Sequence, residues 1–462
     1  MEIRPHLFSE EEISRLLSEI TEGEVREAES TSLTTFEDII FLEGTPGGAV
    51  VRDVNGKEYI DCTAQAWTLN VGYCQPDVIF AASFQASLLN HVRYSWPTIP
   101  RLKLINKLRE IFPLDRVVLN TQGGGWAIET AMKLAMINKK DAEIFLTAWR
   151  GYHGNSLATT SASHPLTTLI RYKPFGIDRF VRFPYPYCYR CPFGLSYPEC
   201  SLRCIDVLEN TIKRGGWGKY AGLIIEPIQG PGGHIPAPIE YLKALRELTD
   251  KYDIYLIFDE SQTAFGRVGA WCAAELYNVT PDMMTFTKGL GGGYPIGATL
   301  AREDIKGLTY PEEHTTFGGN PVIYAAALVN IMVIEKLDLI KEARDKGLYA
   351  TRRLREIMER SEIIGDVRGP GLFIGIDIVE DKDDKTPSPE LASEIVDRAL
   401  EKGAIFALDM PDVYGDEFSF MNTIKFKPPL TISYEEIDRA LHILEESIIE
   451  VSIEYEYEYR RR

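Results

Sequence analysis

The chain has 462 residues, a prior for two or three structural units at about 100 to 200 residues each. Apolar residues make up 45% and charged residues 26%, a globular composition that excludes collagen-like, disordered and disulfide-dense classes. Lys plus Arg number 50 against 68 Asp plus Glu, and the resulting net charge of −18 repels nucleic acid and anionic lipid. No apolar run reaches the roughly 18 residues that span a bilayer. The opening MEIRPHLFSEEEIS is acidic where a secretory signal would be apolar, so a cytoplasmic location is expected.

In chain order, Ser9 and Glu12 form a capping-box pattern, and Ile13, Leu16, Leu17 and Ile20 make one apolar stripe, predicting a short amphipathic helix over residues 9–20. It suits packing on its own fold or on a partner subunit. VVRDVNGKEYID, residues 50–61, carries Asn-Gly between short apolar runs and predicts a hairpin. In the middle, RVVLN (116–120), EIFLTA (143–148), LIIE (223–226), YLIFDE (255–260) and MMTFT (283–287) alternate with helical patterns. Such alternation predicts a mostly parallel sheet covered by helices. After residue 330 come helical stretches, a Gly-rich strand GPGLFIGIDI and a final helix near 434–450, a second α+β unit. The ending IEYEYEYRRR has period 2, expected as an edge strand or, slightly favoured, a frayed terminus.

Ligands of open parallel sheets bind beyond the carboxyl ends of the strands, so those positions carry the functional reading. RVVLN leads through Thr121 and Gln122 to Gly123, Gly124 and Gly125 at a helix start, where free backbone N–H groups suit a phosphate. EIFLTA leads to Tyr152 and His153, LIIE ends in Glu226, YLIFDE contains Asp259, and MMTFT runs into Lys288. These are the parts needed to hold pyridoxal phosphate: an anion cradle, a ring-stacking aromatic, a carboxylate for the pyridine nitrogen and a lysine for the aldehyde. Singly, a strand-end Asp is often a helix cap and a lone Lys a surface residue; their joint occurrence is harder to dismiss.

The stretch IFDESQTAFGRVGAWCAAELYNVTPDMMTFTKGLGGGYPIGA resembles the signature of class III aminotransferases, which include ornithine, 4-aminobutyrate and acetylornithine aminotransferases and related racemases. EPIQGPGG (226–233), HTTFGGNP (314–321), VRGPGLFIGID (367–377) and PPLTI (428–432) extend the resemblance over roughly residues 35–450. It implies the α/β fold type I. A large cofactor-binding domain would cover 76–329 with a Cys-rich excursion at 183–206, and a small α+β domain 1–75 and 330–462. It implies that Lys288 is the Schiff-base lysine, Asp259 the pyridine-nitrogen partner and Gln262 a donor to the ring hydroxyl. Gly124 and Gly125 would bind phosphate, Tyr152 would stack, and His153 and Glu226 would wall the cofactor. Thr316 would reach the phosphate of a neighbouring subunit, implying at least a homodimer. Ala66, Trp67 and Lys425 would face the substrate.

The chain also departs from the family pattern. Gly125-Trp126 stands where the family has a hydroxyl residue and Glu, Asn155 where related enzymes carry a substrate-binding Arg, Pro231 where Glu is common, and Lys425 where an Arg binds the α-carboxylate. The reaction expected is amino transfer from an amine or amino acid to a 2-oxo acid. Racemisation is the alternative; a dialkylglycine-type decarboxylase or a non-catalytic scaffold of the same fold is less expected. Trp67 and Trp126 would supply apolar bulk near the site and favour an uncharged or apolar side chain, or an amine, over a dicarboxylate. Cys188, Cys191, Cys200 and Cys204 in one short loop could hold a structural zinc, two disulfides or an iron–sulfur centre, and are expected to act as a staple.

Overall fold

The computed structural model describes residues 7–164, 179–215, 219–409, 413–414, 417–418 and 421–459. Its widest sheet has seven strands, in the order Arg116–Asn120, Gly297–Ala301, Met283–Phe286, Tyr255–Asp259, Lys219–Ile225, Ala142–Ala148 and Phe180–Phe183. All run parallel except Gly297–Ala301, which is antiparallel to both neighbours. A strand covered on both faces must be apolar throughout. Leu256, Ile257 and Phe258 meet that demand and are fully buried. The helix Gly124–Asn138 packs on this sheet through Ala127, Ile128, Ala131, Leu134 and Ala135, buried at spacings of three and four.

A second sheet holds Phe41–Gly44, Val50–Asp53 and Glu58–Asp61, the last pair forming the hairpin predicted around Asn55-Gly56. Gly56 has φ +83°, the conformation the turn requires. The fourth strand of this sheet is Ala404–Ile405, parallel to Glu58–Asp61 and more than three hundred residues away in sequence. A third sheet joins Ile364–Arg368, Ile374–Asp381, Thr423–Phe426 and Ala407–Leu408. One helix, Pro321–Lys336, runs through the expected boundary at residue 329 and packs on Pro76–Leu88 and Ile99–Ile111.

The structure corrects one element expectation. The tail is neither strand nor frayed end: one helix spans Tyr434–Tyr459. Ile437, Ala440, Leu441, Leu444, Ile448 and Val451 are buried at helical spacing, and Glu454 pairs with Arg398, so the helix continues past the period-2 letters. Arg460, Arg461 and Arg462 lie outside the described residues. The amphipathic helix Glu10–Ser18 has its capping box, with Ser9 N donating to Glu12 Oε2 at 2.7 Å, but none of its residues is buried. Among the described residues no helix is long and apolar enough to cross a membrane.

Candidate active site

The parallel strands deliver Gly124, Gly125, Tyr152, His153, Glu226, Asp259, Gln262 and Lys288 to one cavity of about 250 Å³. They come from the carboxyl ends of five strands, Arg116–Asn120, Ala142–Ala148, Lys219–Ile225, Tyr255–Asp259 and Met283–Phe286. Gly123 turns the chain with φ +87° into the helix Gly124–Asn138, whose first N–H groups have no intrahelical acceptor. A Cβ on Gly124 would lie 2.8 Å from Thr287 Cγ2, so the backbone needs glycine to sit against the residue preceding Lys288. The cavity wall also includes Ser261, Thr287, Gly154 and Asn155, of which only Asn155 was singled out from sequence, as a departure.

Asp259 accepts a hydrogen bond from His153 Nδ1 at 2.8 Å, and both side chains are buried. Burial alone would raise its pKa, but the His153 hydrogen bond, the neighbouring ring's charge and the Ser261 N–H hold it below the usual carboxylate range. His153 is therefore the partner that orients Asp259 as well as part of the wall. Glu226 accepts from Tyr152 N and Gly230 N, each at 3.0 Å, and so clamps the turn carrying Tyr152. Burial and the nearby Asp259 charge push Glu226 up to about 7. Burial also lowers Lys288, against the pull of Asp259 and Glu226, and burial raises the Tyr152 hydroxyl. The site thus holds a lysine biased toward its neutral amine beside a carboxylate biased toward its anion.

Ala66, Trp67 and Lys425 do not line this cavity. The segment Ala64–Trp67 is left-handed throughout, at φ +49°, +42°, +56° and +70°, and brings the Trp67 ring among three amines. Lys288 Nζ lies 5.6 Å, Lys425 Nζ 5.2 Å and Lys427 Nζ 4.4 Å from its centroid. Lys425 is 1% exposed, and its Nζ has no hydrogen-bond partner among the described residues. Burial pulls its pKa down while the charge of Asp409 opposes that pull. Ala66 is exposed.

Residues 37–448 match the family model for class III aminotransferases. The chain belongs to that family. A leucine/methionine racemase of Thermococcus litoralis is 35% identical over 94% of this chain and 96% of its own length. An acetylornithine aminotransferase of Methanocaldococcus jannaschii is 36% identical over 89% of this chain and 94% of its own. Among solved structures, an aminotransferase of Bacillus anthracis superposes with a TM-score of 0.85 at 28% identity, covering 96% of this chain and all of that one. Class III aminotransferases have fold type I and use pyridoxal phosphate, and the cavity fits that cofactor: a side-chain-free turn for its phosphate, an anionic buried carboxylate and a lysine, all converging.

Within this aminotransferase-family fold, three expected groups stand apart from the cavity. Thr316 is exposed, on a loop tied to the chain's own glycine turn through Thr315, whose Oγ1 donates to Gln122 Oε1 at 3.2 Å. Trp126 supplies no bulk to the cavity; its Nε1 donates to Glu313 Oε1 at 3.1 Å. The four cysteines are free thiols, with no disulfide, and no three metal-ligating side chains converge on a metal site among the described residues. Burial pushes the Cys188 thiol up to about 11 and the Cys204 thiol up to about 12. Hydrogen bonds and ion pairs to Asp377 also fasten the excursion. Tyr187 Oη donates to Asp377 at 2.9 Å and Arg190 donates to both its oxygens, while Arg368 donates to it from the neighbouring strand.

Proposed function

We propose that the protein transfers an amino group from an amino acid or amine to a 2-oxo acid, with pyridoxal phosphate held in the cavity around Lys288. The observation that carries this reading is the meeting of Lys288, the Asp259–His153 pair, Gln262, Tyr152 and the glycine turn around one cavity. Bound there, the cofactor supplies an electron-withdrawing ring that stabilises a carbanion beside the transferred nitrogen. Asp259, kept ionised by His153, holds a proton at the ring nitrogen. Lys288, biased toward its neutral form, would hold the cofactor's aldehyde and, once the substrate's amine has displaced it there, would carry the substrate's α-proton. The N–H groups of Gly124 and Gly125 receive the phosphate, Tyr152 supplies a flat wall, and Gln262 donates to the ring hydroxyl.

The buried, unpartnered amine of Lys425 supports recognition of a carboxylate, so an amino acid is the favoured donor, and Trp67 beside it favours an apolar side chain. Residues 76–329 form the cofactor-binding unit in this reading, and 1–75 with 330–462 the smaller unit that brings Trp67 and Lys425. Exposed Phe80, Phe84 and Leu88 on one helix, with Trp96 and Ile99 nearby in sequence, support a homodimer in which Thr316 serves the partner's phosphate. Racemisation is the second reading, favoured by the similarity to the Thermococcus litoralis racemase.

Both enantiomers of a panel of amino acids, with and without a 2-oxo acid, separate the two. Turnover that demands the acceptor supports amino transfer; inversion at full rate without it establishes racemisation. Borohydride should bleach the visible band and leave its adduct on Lys288, and Lys288→Ala should abolish both adduct and turnover while the protein stays folded. An adduct elsewhere would overturn the assignment.

A further inference from the structure

Lys427 is fully buried, and its Nζ lies 3.9 Å from the ring centroid of Phe373 and 4.4 Å from that of Trp67. Burying an amine is costly unless its donors are used. Its one side-chain hydrogen bond among the described residues goes to Gln262 Oε1, at 2.6 Å. A protonated lysine can only donate, and the Phe373 and Trp67 ring faces and the Gln262 oxygen around Nζ favour that form, so this bond decides which end of the Gln262 amide is oxygen and which is nitrogen. Gly230 leaves the space that the amide fills, since a Cβ there would lie 2.3 Å from Gln262 Oε1 and 2.8 Å from Nε2. With its oxygen engaged, the NH₂ is the end of Gln262 left to donate, on a residue that lines the cavity with Asp259 and Lys288.

We infer that Lys427 is a positioning residue that locks the Gln262 amide with its donor end toward the bound ring, and so sets the ring's protonation chemistry without touching it. This rests on the cofactor reading above. Burial and the neighbouring charges of Arg267, Lys425 and Lys288 pull Lys427 toward a neutral amine, against the two ring faces and the Gln262 oxygen, and the lock holds while the lysine keeps its proton. A donor at the ring oxygen takes up part of its negative charge, so the adjacent cationic nitrogen gives up its proton more readily. Without the lock, Gln262 can turn its oxygen inward and the donor is lost.

The test is a spectrophotometric pH titration of the visible band of the cofactor-loaded protein, with cofactor Kd measured alongside. Lys427→Met keeps the buried stem and removes the donor; circular dichroism checks the fold, and Lys427→Leu makes the same test if the methionine variant does not fold. The midpoint of the band should move up by about one pH unit, and cofactor binding should weaken several-fold. Gln262→Leu should shift the midpoint similarly, and adding Lys427→Met to it should shift it no further, because the lysine acts through the amide. Lys427→Arg, which retains a donor, should titrate like the parent. A midpoint unchanged by Lys427→Met, or an equal additional shift in the Gln262→Leu background, would overturn the inference. A parent protein with no borohydride-sensitive band defeats the cofactor reading itself, an outcome separate from either.

Discussion

Glu226 shows how one side chain can be structural and electrostatic at once. It clamps the backbone of Tyr152 and Gly230, yet its pKa is pushed up to about 7 in the fold against an ordinary 4.5. An acid with a raised folded value keeps its proton longer in the folded state than in the unfolded one. Its stabilising contribution is therefore full below about 4.5, declines as pH rises toward 7 and is gone above, on the order of 3 kcal/mol across the window. Glu226→Gln should flatten that decline in the cofactor-free protein, measured as the difference in urea midpoint between pH 5 and pH 7.5. Some slope should remain, because Glu260 is raised to about 7 as well. An unchanged slope would mean that Glu226 is ionised in the fold. At this scale the sequence was informative where a residue ends a strand, as Asp259 does, or follows one closely, as Lys288 does. It was silent on Lys427, whose only signal is the two-residue spacing from Lys425, because the bond to Gln262 joins positions 165 apart.

The Cys-rich excursion is the element whose purpose was half legible. Its position between two strands of the main sheet marked it as an insertion, but the cysteines drew attention from the residues that fasten it. Asp377 is fully buried and receives Tyr187, Arg190, Arg368 and Asn422. Removing one partner of a buried pair leaves uncompensated charge and costs about 3–5 kcal/mol. Asp377→Ala should lower stability by that amount in urea unfolding and open residues 183–206 to protease, whereas replacing any one of the four cysteines by Ser should do neither. Intact resistance in Asp377→Ala would show that apolar packing alone holds the excursion. Other elements were missed for plain physical reasons. Gly297–Ala301 is mostly small residues, with Thr299 its one β-branched position, and Phe180–Phe183 carries Arg182, whose guanidinium donates to Thr147 Oγ1 at 2.6 Å.

For the whole molecule, the alternation of apolar runs and helical patterns was enough to foresee a mostly parallel sheet, since buried parallel strands advertise themselves. The order of strands was not, because pairing over long separations leaves no local trace. The exposed face of Pro76–Leu88 gives a prediction at this scale: Phe84→Glu should convert a dimer to monomers in sedimentation equilibrium and weaken cofactor retention. A parent protein that sediments as a monomer with full activity would refute shared sites. The pairing of Ala404–Ile405 with Glu58–Asp61 reaches further. Cys62 N donates to Ile405 O and Lys427 N to Cys62 O, so the platform under Trp67 and the two strand lysines is tied to residues beyond position 400. During synthesis the glycine turn, Asp259 and Lys288 emerge from the ribosome well before those partners exist. The growing chain therefore has every named lining residue of the cavity around Lys288 in hand before the segments that pin Trp67 and carry Lys425 and Lys427 are made, and a polypeptide released early would have the first set of residues without the second.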